Sequence, residues 1–120
     1  MKRVVLESPY AGNVERNVRY AIACMKDCIR RDEAPFASHL LYPQCLDDND
    51  AFERHLGILS GQAWGIHAEA VVVYVDLGIS DGMKVSLQKY EHAGIPVEFR
   101  QLPAWESSAG EILTSELGEP

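Results

Sequence analysis

Several kinds of signal are missing or thin in this chain. It has no paired cysteine framework: Cys24, Cys28 and Cys45 are an odd number without regular spacing, which excludes a disulfide-stapled scaffold and makes a reducing cytoplasm the expected compartment. No apolar run reads as a signal peptide or a spanning segment, so no membrane partner is expected. Positive charge is also short. Eleven Lys and Arg stand against 18 Asp and Glu, a net charge of -7, and such a surface repels a nucleic-acid backbone as it repels an anionic membrane. Polymeric nucleic acid is therefore not an expected partner, and any nucleotide that binds is small.

What is present fits one domain. A chain of 120 residues with 47% apolar composition can bury a real core and is too short for two, and no repeat or linker divides it. Val4-Val5-Leu6 is a short buried strand. It feeds a small-residue turn, Ser8-Pro9-Tyr10-Ala11-Gly12-Asn13, with Asn13 a plausible N-cap. Val18, Ala21, Ile22, Met25 and Ile29 then recur at helical spacing up to about Asp32. Phe36-Ala37-Ser38 is a second strand candidate, followed by an irregular stretch from His39 to Gln44. A helix from about Ala51 to Trp64 carries Gly57 and Gly61 four apart, on one face, for close packing. Ala70 to Val75 is the clearest strand, with four valines in six residues. The turn Leu77-Gly78-Ile79-Ser80-Asp81-Gly82 leads into a helix from about Met83 to Ala93, and Ile95 to Phe99 is a last strand. The order β-α-β-α-β-α-β predicts an α/β fold, a Rossmann-like (flavodoxin-like) three-layer sandwich around a parallel sheet of four to five strands. That domain spans residues 1–102, and 103–120 reads as a tail that is disordered or docked on a partner subunit.

In such folds ligands gather at the carboxyl edge of the sheet. The first turn places Ser8, Pro9, Tyr10, Gly12 and Asn13 there, His39 follows the second strand, and Ser80, Asp81 and Gly82 follow the third. Helix-end amides with Ser8 or Asn13 suit a phosphate, and Tyr10 suits a base or a ribose. Each feature also has a plainer reading: a cap for Ser80 or Asp81, a structural hydrogen bond for His39. Asp47-Asp48-Asn49-Asp50 is a capping turn without calcium-loop spacing, and Cys24 and Cys28, on one helical face, read as core residues. No metal or cofactor is expected. Trp64 and Trp105 read as core or subunit contacts.

Taken in order, Ser8-Pro9-Tyr10-Ala11-Gly12, His39-Leu40-Leu41-Tyr42-Pro43 and Ser80-Asp81-Gly82-Met83-Lys84 resemble the nucleoside 2-deoxyribosyltransferase-like superfamily, in particular its small phage and bacterial branch, over roughly residues 2–100. The resemblance implies a nucleoside or nucleotide pocket and a homodimer or higher homo-oligomer. Better-known members cleave or transfer the N-glycosidic bond of deoxynucleosides or their monophosphates through a glutamate nucleophile. Its position, six residues after Ser80 and four after Gly82, falls on Ser86. A serine hydroxyl neither stabilises an oxocarbenium-like centre nor readily forms the glycosyl intermediate. A second carboxylate is missing from the helix before the long strand, which reads Gly61-Gln62-Ala63-Trp64. The expected function is nucleotide or nucleoside binding, for sensing or sequestering; the alternative is an N-glycosidase or deoxyribosyltransferase whose acid comes from elsewhere.

Overall fold

The computed structural model describes residues 1–105. Strands β1 (Lys2–Glu7), β2 (Glu33–Phe36), β3 (Ala70–Tyr74) and β4 (Val97–Arg100) form one all-parallel sheet in the order β2-β1-β3-β4. Between them lie α1 (Val14–Arg30), the single turn α2 (Ser38–Leu41) with a 3-10 turn at Tyr42–Gln44, α3 (Ala51–Gly65) and α4 (Asp81–His92). The two central strands are the valine-rich ones, because a strand covered on both faces has no polar side to show. Side chains alternate across the sheet. Val4, Leu6, Val72 and Tyr74 pack against Tyr20, Cys24 and Cys28 of α1. Val5, Val71 and Val73 pack on the opposite face against Met83, Leu87 and Tyr90 of α4. The result is the three-layer α/β sandwich of a Rossmann-like fold.

Some local expectations shift. The buried stripe of α1 is Asn17, Tyr20, Ala21, Cys24 and Cys28, while Ile22 and Ile29 are exposed; the helix turns its small and hydroxyl-bearing residues to the sheet. β2 begins earlier than Phe36, since Asp32 takes a left-handed turn (φ 62°) directly after α1 and Pro35 is tolerated within an edge strand. The stretch from His39 to Gln44 is not irregular but two short helical turns. β4 starts after Pro96, whose carbonyl accepts from the Val71 N–H at 2.8 Å.

The glycine stripe of α3 packs as its spacing predicts. A Cβ on Gly61 would stand 2.6 Å from the Ser38 side chain, and one on Gly65 would run into the Tyr90 hydroxyl, so α3 lies hard against α2 and α4. Past β4, Leu102 and Trp105 pack on the α1-side core, Trp105 edge-on to Tyr20 at 4.9 Å between centroids. This part of the tail docks on its own chain; 106–120 lies outside the described residues. Trp64 is exposed rather than core. Among the described residues no helix is long and apolar enough to cross a membrane.

Candidate functional site

The carboxyl edge of the sheet opens into a cleft of about 120 Å³ between the β1 turn, α2, α3 and α4. Of the residues predicted for a site, Ser8, Tyr10, His39, Ser80, Gly82 and Ser86 line it. Gly12 lies in an adjoining pocket lined also by Tyr10, Ala11 and Asp48. Pro9, Asn13 and Asp81 line neither. Asn13 caps its own helix, accepting from the Arg16 N–H at 3.2 Å, and Asp81 is fully exposed beside Lys84. The turn itself is pinned from below, because the buried Asn17 amide donates to the Tyr10 and Ala11 carbonyls at 2.9 and 3.0 Å. Its geometry is therefore set by α1, which holds Tyr10 at the cleft wall.

Ser8 and His39 meet. Ser8 Oγ and His39 Nε2 share a hydrogen bond of 2.7 Å, joining the ends of β1 and β2. Burial pushes the imidazole pKa down to about 4, so the ring is neutral at ordinary pH. It is a weak base for activating Ser8, and among the described residues no carboxylate bonds its second nitrogen to strengthen it. The pair serves better as a fixed polar ledge for a ligand.

On the α4 side, Ser80 is both cap and cleft residue: its hydroxyl accepts from the Met83 N–H at 3.2 Å. The Arg54 guanidinium lies over Gly82, where an added Cβ would be 3.8 Å from Nη2. One turn deeper, the buried Gln62 amide donates to Ser86 Oγ at 3.4 Å. Ser86, where the resemblance implies a glutamate, is thus paired with a neutral amide from the helix segment Gly61-Gln62-Ala63-Trp64 and not with a carboxylate. Glu91 is exposed, and Asp76 is committed on the α1 side, accepting from the Tyr20 hydroxyl and the Leu102 N–H.

The cleft does hold a carboxyl that the sequence reading passed over. Glu7, the last residue of β1, is 8% exposed, and among the described residues nothing forms a hydrogen bond or ion pair with its carboxyl. Every fully sealed side-chain oxygen and nitrogen among those residues has a partner, so an unpartnered carboxyl must open to the cleft. Burial raises its pKa to about 8, because nothing compensates the charge. The neighbouring Tyr90 hydroxyl is pushed upward by burial first and by Glu7 second. One signal pointed to Glu7: it shares the face of Val5, which faces core, yet ends a strand at the ligand edge. Asp48 and Glu53 also reach the cleft, nearer its rim. Among the described residues no three His, Cys, Asp or Glu side chains cluster to hold a metal ion.

A family profile described as a domain of unknown function (DUF7768) matches residues 2–100, and the chain belongs to that family. No curated protein matches it.

Proposed function

We propose that this protein binds a small nucleoside or nucleotide in the cleft at the carboxyl edge of its sheet, without acting as a glycosyl-transfer enzyme, and so senses or sequesters that ligand in the cytoplasm. The observation that carries this reading is the Gln62–Ser86 contact. It pairs Ser86, where the resemblance to deoxyribosyltransferase-like proteins implies the glutamate nucleophile, with a neutral amide, and a retaining transfer needs an anion there. Tyr10, the Ser8–His39 ledge and the α4 end under Arg54 remain as contacts for a base, a sugar and a phosphate.

A second reading is favoured by Glu7, which does bring a carboxyl into the cleft: an N-glycosidase or deoxyribosyltransferase acting on a nucleoside monophosphate. It requires Glu7 ionised, against the cost of its burial. The same resemblance implies a homo-oligomer, and the exposed apolar stripe Phe52, Leu56 and Leu59 of α3, continued by Ile66 at its C-cap, is a surface such an assembly would cover.

The test is incubation with the four deoxynucleoside monophosphates, read by melting temperature and by chromatography for free base. A ligand-induced rise in melting temperature without base release is the expected result. Free base accumulating in proportion to enzyme would establish the second reading, and no shift with any nucleotide would sink both.

A further inference from the structure

The cleft grades from charged to apolar along α4. Its lining residues descend from Ser80 and Gly82 at the mouth, near the exposed Arg54, through Met83 and Ser86 to Tyr90 at the floor. Eight residues from Gly82 to Tyr90 cover about 12 Å of helix, the span from a phosphate across a sugar to the far edge of a base. Met83 and Tyr90 are 3% and 2% exposed. The inner end is thus walled mainly by apolar atoms, and its polar groups without a protein hydrogen-bond partner are the Glu7 carboxyl and the Tyr90 hydroxyl, of which only the carboxyl offers a donor and an acceptor side by side. A sugar there would press hydroxyls against Met83. A flat ring has apolar faces for such walls and a polar edge for the carboxyl.

We propose that Glu7 is the residue that reads the ligand's base, and that it does so as an uncharged carboxylic acid, donating its O–H to an acceptor on the ring edge and accepting from the N–H beside it. The proposal rests on the nucleotide reading above and deepens it. A protonated carboxyl is a donor and an acceptor side by side, which matches the amino-imine edge of adenine or cytosine and the lactam edge of guanine or thymine. It gives the cleft affinity for a base while withholding the anion that glycosyl transfer needs.

The other titratable groups lining the cleft are His39 from α2, Tyr10 and Tyr42 on the walls, Asp48 and Glu53 at the rim, Arg54 from α3 and Tyr90 from α4. With His39 pushed down to about 4 and Tyr90 pushed up, neither changes charge between about pH 6.5 and about pH 9. Glutamine supplies the same donor and acceptor as a neutral acid and does not titrate, so Glu7→Gln separates the two forms of the residue.

The experiment is calorimetric titration of wild type, Glu7→Gln and Glu7→Leu with the four deoxynucleoside monophosphates and with 2-deoxyribose 5-phosphate, which lacks the base. Glu7→Leu is expected to weaken nucleotide binding about 10- to 100-fold, since the base edge loses both partners. Glu7→Gln stays within about threefold of wild type, and the baseless sugar phosphate binds wild type and Glu7→Leu alike or not at all. Repeated with dAMP and dCMP, wild-type affinity falls between about pH 6.5 and about pH 9 while that of Glu7→Gln does not. Melting curves of each variant establish that it is folded; Glu7→Leu removes an unpaired buried polar group and melts no lower than wild type.

Three outcomes overturn the proposal while leaving the nucleotide reading intact: Glu7→Gln as weak as Glu7→Leu, Glu7→Leu binding nucleotides like wild type, or the sugar phosphate weakened as much as the nucleotides. No binding of any nucleotide to wild type overturns both.

Discussion

Two buried glutamates lie on opposite faces of one sheet in opposite circumstances. Glu33, at the start of β2, is gripped by both terminal nitrogens of Arg100 at 2.8 and 2.7 Å. Arg100 also reaches Tyr74, whose hydroxyl donates to Asp27 at 2.6 Å, and pairs with Glu98. Each polar group there has a protein partner, and the Arg100 guanidinium holds Glu33 below its usual pKa. Glu7, at the end of β1, has none, and burial raises its pKa instead. A satisfied buried cluster ties elements together. An unsatisfied one at the ligand edge of the sheet is a cost to stability that makes sense if something else completes it.

The comparison can be broken at its structural end. Arg100→Met leaves Glu33 buried without its cation and is expected to cost about 3 kcal/mol, the low end for a broken buried pair, measured by urea unfolding. A loss under about 0.5 kcal/mol, the size of an ordinary surface substitution, would show that the cluster does not tie β2 to β4.

The pH dependence sharpens the contrast. Glu33 contributes stability that is present above its unfolded pKa of 4.5 and is lost as pH falls through its lowered folded value. Glu7 has the opposite sign: between 4.5 and about 8 the folded chain keeps a proton that the unfolded chain has released, so stability falls as pH rises. His39 loses stability as pH falls from 6.5 to about 4. Of the three, only Glu7 titrates between 6.5 and about 8. There wild type is expected to weaken by at most about 1.4 kcal/mol per pH unit, and Glu7→Gln to flatten the decline. A wild-type profile that is level across this window would refute the buried, unpaired state of Glu7.

The smallest expected effect is at the cleft wall. Tyr10→Ala should weaken nucleotide binding by about 1 kcal/mol, the low end for ring stacking, because the Tyr10 ring is only partly buried. Unchanged affinity in a titration would remove Tyr10 from the site.

Much of the framework is legible in the chain. Val71, Val72 and Val73 announce a central strand, Asp50 and Ser80 announce helix starts that their side chains do cap, and Gly57 and Gly61 announce the tight face of α3. These signals are local, since caps, turns and periodicity act over a few residues. The buried stripe of α1 was less legible: Val18, Ile22 and Ile29 suit the helical period as well as Tyr20, Cys24 and Cys28 do, and only the fit against the sheet chooses between them. The site was half legible. Ser8, Tyr10, His39, Ser80, Gly82 and Ser86 follow from the rule that ligands meet the carboxyl edge, whereas Gln62, Arg54 and Tyr90 enter from helices whose rotation no spacing declares.

Hydrophobic period and turn chemistry are written residue by residue, so the order of elements, the parallel sheet and its carboxyl edge could be read along the chain. The fate of each buried polar group could not be read that way and came with packing. Glu33 and Arg100 are 67 residues apart and become partners; Ser86 and Gln62, 24 apart, satisfy each other; Glu7, beside Ser8 in the chain, is left with an open cleft. Whether a charge is paired or stranded depends on what lies within a few ångströms of it, and that is a property of the packed chain.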